Sequence, residues 1–201
     1  MKRIKSILMA GAVLACGLFT TTTIQAQAPV REDFAETGTG TTLASVVVPV
    51  GNGRPVVTYI SATSDKAASV LQFLKCTAGA QTLTVATNAS QAVIYVPASS
   101  FWAANDLAVL RHKTTDTYER VKVSATNGLT ALTLTASLGT AVVAGDVLYK
   151  MSNAGTIPVG AATKEITTVG VYQAPSGLPV IVDLDGTSAC KINLVSGAFA
   201  R

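Results

Sequence analysis

From Leu43 onward, short apolar runs alternate with turn-forming residues, the pattern of an all-β protein, an antiparallel sandwich or small barrel. Residues 45–50 and 55–62 flank Gly51-Asn52-Gly53-Arg54, a sequence suited to a hairpin connection. Residues 82–86 and 92–96 flank Thr87-Asn88-Ala89-Ser90, and 107–112 is followed by an alternating run over 117–124. Asn127-Gly128 then turns the chain into 131–136, where Leu132 and Leu134 alternate with Thr133 and Thr135. One apolar and one hydroxyl face is what a half-buried strand needs, because successive side chains point to opposite sides. Over 118–123 the same rule puts Tyr118, Arg120 and Lys122 on one face and Glu119, Val121 and Val123 on the other. Three more strands are expected at 167–172, 179–184 and 191–195.

Two stretches echo each other, Ala103-Ala104-Asn105-Asp106 and Val143-Ala144-Gly145-Asp146, each placed directly before an apolar strand. A tight turn entering a barrel strand accounts for both, and 101–151 reads as a compact β unit. One short helix is expected near 65–75, with Ser64 as N-cap and Ala67, Val70, Leu71 and Leu74 on one face. A strand fits 70–76 nearly as well. Residues 27–42 have no apolar period and read as a flexible N-terminal segment, leaving 43–201 as the β domain.

The first 26 residues carry a different pattern. Lys2, Arg3 and Lys5 precede an apolar run over 7–19 and a small polar stretch ending Gln25-Ala26-Gln27-Ala28, the order of a secretory signal peptide. Cleavage after Ala26 implies an exported protein of the cell surface, periplasm or medium. The apolar run is shorter than the roughly 20 residues of a membrane helix, so no membrane span is expected. Val13-Leu14-Ala15-Cys16-Gly17 partly matches a bacterial lipoprotein signal, which would put a lipid anchor on Cys16. Leu14 departs from that pattern.

Export also changes the charge. The whole chain has 15 Lys plus Arg against 11 Asp plus Glu; loss of the three leading cations leaves 12 against 11. A nucleic-acid partner would need a basic patch in the exported domain. The densest cluster, Arg111, His112, Lys113, Arg120 and Lys122, is broken by Asp116 and Glu119 and reads as mixed surface. Cys76 and Cys190 are the two cysteines outside the leader, and an even count in an oxidising compartment predicts a disulfide between them. Closing that loop would stabilise by on the order of 4–5 kcal/mol.

Pro179-Val180-Ile181-Val182-Asp183-Leu184-Asp185-Gly186-Thr187 resembles the first motif of haloacid-dehalogenase-type phosphatases. The resemblance implies a nucleophilic Asp183, a general acid and base at Asp185, and magnesium beside them. It covers nine residues, and the strand–helix alternation of that fold is absent. A strand whose Asp183 and Asp185 share a face with Ile181, turning at Gly186 and pairing with Lys191 and Asn193, accounts for the segment without chemistry. Asp183 and Asp185 remain weak candidates for a simple cation site, and no metal or other cofactor is expected. His112, the one histidine, reads as a turn or surface residue. Asp116 is the acid that would join it in a triad, but no Gly-x-Ser-x-Gly elbow is present. The Asp-led turns and alternating strands of 101–151 faintly resemble modules of phage-type structural proteins, features any small barrel shares.

Three functions stay open on these grounds. The first is a non-catalytic structural or surface-assembly protein, meeting copies of itself or an envelope partner. Its support is low charge, 13% of residues, and Thr-rich strands. The second is a glycan-binding module using Phe101 and Trp102 as a flat stacking platform, with Asn105 and Asp106 beside them. The third is a hydrolase whose site follows no recognised spacing.

Overall fold

The computed structural model describes residues 33–49, 51, 53–173, 175 and 177–200. The expected signal peptide and Cys16 lie outside the described residues. The chain is nearly all β, with antiparallel sheets packed as a sandwich and one turn of 3-10 helix at Ser99–Phe101. No helix among the described residues is long and apolar enough to cross a membrane.

Among the described residues twelve strands follow in order: β1 Asp33–Gly40, β2 Leu43–Val48, β3 Arg54–Ser64, β4 Val70–Thr82, β5 Val93–Tyr95 and β6 Leu107–His112. They continue with β7 Thr117–Thr126, β8 Ala131–Leu134, β9 Val147–Pro158, β10 Thr163–Gln173, β11 Val180–Asp185 and β12 Cys190–Ala200. One sheet has the order β1-β12-β3-β10, and the other β2-β11-β4-β9-β6-β7-β8-β5.

The four-stranded sheet covers one end of the eight-stranded sheet. Phe34, Ile60, Ile192, Val195 and Phe199 meet Val46, Val48, Leu71, Phe73, Val182 and Leu184 there. At its other end the long sheet encloses a second core of Leu83, Ile94, Val96, Trp102, Leu110, Val121, Val123, Leu132, Leu134 and Leu148. Alternation then leaves Leu74, Cys76, Val109, Tyr149, Met151 and Ile181 on the opposite face, where they form a third core. All three follow from the period of two, since burial of alternate residues is what stabilises each strand.

The echo in sequence is an echo in structure. Ala103 N–H donates to Asp106 Oδ2 (2.7 Å), and Val143 N–H donates to Asp146 Oδ2 (3.0 Å). Asn105 (φ 74°) and Gly145 (φ 100°) take the left-handed position before each aspartate. The register repeats as well: Thr82↔Val147, Gln81↔Leu148 and Ala80↔Tyr149 correspond to Lys122↔Leu107, Val121↔Ala108 and Arg120↔Val109. Each member of the second set is its counterpart in the first, displaced by the same number of residues. The region from Ala80 to Lys150 is therefore a two-fold pseudo-repeat with a core of its own, and it begins well before residue 101. Alanine lacks the side-chain hydrogen bonding that lets Asn tolerate φ > 0, so Asn105→Ala and Gly145→Ala are each expected to cost about 1–2 kcal/mol. Urea titration should show these losses, with Asn105→Gly nearly neutral.

Several expectations are corrected. Residues 65–75 hold no helix: Ser64 Oγ accepts from Lys66 N–H (3.2 Å) to form a turn, and β4 begins at Val70. The strand wins because Leu71 and Phe73 enter one core while Leu74 and Cys76 enter another. Residues 33–40 are a strand rather than part of a flexible lead-in. Phe34 is buried, with its ring 5.3 Å from that of Phe199. The segments around Gly51–Arg54 do not form a hairpin, since β2 and β3 lie in different sheets. Likewise β5 pairs with β8 rather than with β4.

Candidate functional site

A cleft of about 460 Å³ opens between the sandwich end and β7, lined by Glu36, Thr37, Ser45, Val47, Tyr118 and Arg120 among others. Alternation on β11 turns Asp183 away from the sandwich core, toward the third core, and alternation on β7 turns Arg120 to meet it. Asp183 is buried, and its Oδ2 accepts from Arg120 Nε (3.0 Å) and NH2 (2.8 Å). Ser45 Oγ donates to the other oxygen at 2.5 Å. Two N–H donors and a hydroxyl thus saturate a carboxylate that would be costly to bury alone. The effect is to tie β7 of the repeat unit to β11 and β2 of the sandwich.

Asp185, two residues on, is bound separately. Its carboxylate pairs with Lys66 and accepts from Val70 N–H (2.6 Å). Burial pushes its acidity the other way, but Lys66 and the Val70 N–H outweigh burial and hold it below the usual carboxylate range. A recess of about 310 Å³ lies beside both carboxylates. Each is neutralised by a protein cation, and no group of three or more metal-ligating side chains occurs among the described residues. Lys191 and Asn193 are not the partners either. The turn at Gly186 carries the chain to the opposite sheet, where Asn193 Nδ2 donates to Thr63 Oγ1 (3.0 Å).

Asp65 closes the same turn. It accepts from the Ser188 hydroxyl (2.6 Å) and from the N–H groups of Thr187, Ser188 and Ala189 (2.8–3.1 Å). The hydroxyl first, then these amides, hold Asp65 far below the ordinary carboxylate range. Asp65 and Asp185 are both depressed in the folded chain, so their stabilisation is complete above the unfolded carboxylate value near about 4. It is lost as pH falls toward their folded values. Thermal stability should therefore be flat down to about pH 5 and fall below about pH 4. Asp65→Asn should flatten that acid limb; an unchanged limb would show that the turn does not carry the effect.

The aromatic pair is placed as structure, not as a platform. Trp102 is 5% exposed, and its Nε1 donates to Gln81 Oε1 (3.2 Å). Lys150 Nζ lies 5.2 Å from the Phe101 ring centre and 5.7 Å from that of Trp102, and also pairs with Asp106 (2.6 Å). Asp106 is thus engaged at its turn, and Asn105 supplies the turn's backbone. Glycan stacking has no exposed tryptophan face to use.

His112 is 3% exposed rather than a surface residue. Its Nδ1 lies 3.2 Å from Asp146 Oδ2 and its Nε2 lies 3.4 Å from Glu119 Oε2. Asp146 also accepts from Lys113 N–H (3.0 Å), and Glu119 from Gly139 N–H (2.8 Å). Asp116, the acid considered beside His112 from sequence, pairs with Arg111 instead (2.8 Å). The histidine is absent from the cleft lining, and the Ser45 hydroxyl there is held by the Asp183 carboxylate instead.

Cys76 and Cys190 are not joined. Cys76 belongs to the third core, with its thiol 3.4 Å from Gly79 O, and Cys190 belongs to the sandwich core, with its thiol 3.5 Å from Gly40 O. The sheet itself separates them. Burial pushes the Cys190 thiol up, away from reactivity.

Sequence reasoning missed Arg120, Ser45 and the His112–Asp146 contact as connected groups. The available signal was a charged residue at an inward position of an alternating strand, as at Asp183.

The sequence matches no described protein family and no curated protein. Among solved structures the chain is similar to VP17, a capsid protein of bacteriophage P23-77. Identity is 7% over 85% of this chain and 97% of that one, with a TM-score of 0.17, too low to inform fold or function.

Proposed function

We propose that this chain is an exported, non-catalytic structural protein that assembles with copies of itself or with an envelope partner. The carrying observation is the use made of the buried charge beside the cleft at β7. Asp183, Arg120 and Ser45 satisfy one another, so the buried carboxylate is engaged in holding β7 to β11 and β2 and braces the two halves of the fold. Exposed Val85, Tyr95, Leu129 and Val143 on a chain with few charges support association over solvation. Light scattering coupled to size exclusion on residues 27–201, over a tenfold concentration range, tests this reading. A particle heavier than one chain, growing with concentration, is expected; a constant monomer mass would overturn it.

A further inference from the structure

Charge is distributed unevenly over the repeat unit. Residues 76–105 and 123–145 contain no Asp, Glu, Lys, Arg or His. The charged residues of the unit lie in or next to β6, β7 and the start of β9, and several serve the contacts above. The strands and loops built from the two uncharged stretches include β5, β8 and the turn at Asn127. They expose Leu129 (74%) and Tyr95 (41%), which are neighbours around the β5–β8 ladder: Tyr95 pairs with Ala131, and Val96 N–H donates to Thr130 O.

We propose that this uncharged surface, anchored by Tyr95 and Leu129, is where two copies of this chain meet. The inference rests on the assembly reading and names its surface. Three observations favour a second copy as the occupant. A surface without charge is electrostatically complementary to itself, as a two-fold contact requires, and its burial strips no ion of water. The same lack of charge gives nucleic acid and anionic membranes nothing to pair with. Finally, β5 is the terminal strand of the long sheet, and neither it nor its flanks carry a charge that would repel the same edge of a second copy.

The test compares Leu129→Glu and Tyr95→Glu with Ala161→Glu, which adds the same charge at an exposed loop outside this unit. Protein purified from its producing cells is followed by sedimentation velocity. Circular dichroism and Trp102 emission check that each variant is folded. The expected result is association of the wild type and of Ala161→Glu, with the dissociation constant of both surface variants raised about tenfold or more. Association of folded Leu129→Glu and Tyr95→Glu at wild-type strength would overturn this surface while leaving assembly standing. A wild type that stays monomeric would overturn both.

Discussion

Asp183→Ala is expected to lower the unfolding free energy by about 3 kcal/mol, because it leaves the Arg120 guanidinium in a mostly buried site without its anion. Arg120 is 21% exposed at its side chain and Asp183 4%, so water can reach the cation only in part. Ser45 would lose its acceptor at the same time. The loss measures the cost of an orphaned charge rather than the net worth of the pair. Replacing both ends by apolar residues, Arg120→Met with Asp183→Leu, should therefore recover much of it. Urea titration of the wild type, Arg120→Met, Asp183→Leu and the double variant closes the cycle. A double variant as unstable as the summed single losses would show that the two groups do not act together.

Gly40→Ala is expected to be as damaging, about 3 kcal/mol, although only one methyl group is added. A Cβ on Gly40 would stand 1.8 Å from the Leu43 carbonyl oxygen, and one on Gly38 would stand 2.6 Å from that of Ser45. These are backbone atoms and cannot turn aside. The two sheets meet at this corner because Gly38 and Gly40 present no side chain to β2 there. The variant must either lift β1 from the edge or shift the tight turn at Thr41. Released β1 would also withdraw Phe34 from Phe199. Hydrogen exchange confined to β1 and β12 is the expected signature, together with the lower denaturation midpoint.

The strands were largely legible because burial on one face writes itself as alternation. Leu132 and Leu134 inside with Thr133 and Thr135 outside is the pattern as read, and Val121 with Val123 is another. The turns before β6 and β9 were legible too, since an aspartate capping the N–H three residues earlier demands that residue type. Pairing was legible only where neighbours in sequence pair, as β7 and β8 do across Asn127-Gly128. A loop such as Gly51–Arg54 can close a hairpin or cross between sheets, and only the burial of both flanking strands decides. Strand β1 was hidden because glycine and threonine lack an apolar period, and its value lies in close approach. The region 65–75 was ambiguous because Leu71 and Leu74 suit either period; two cores on opposite faces of one sheet settled it. The bracing of the cleft could not be read at all, since Arg120 and Asp183 are distant in sequence and each alone looks like surface charge.

Sedimentation velocity of the wild-type protein over a tenfold concentration range, at low and at 1 M salt, tests the central claim most directly. Contacts through an uncharged surface should give a particle larger than one chain that grows with concentration and persists at high salt, where screening shortens the reach of charge to about 3 Å. A single monomeric species at every concentration and both salts would contradict the account.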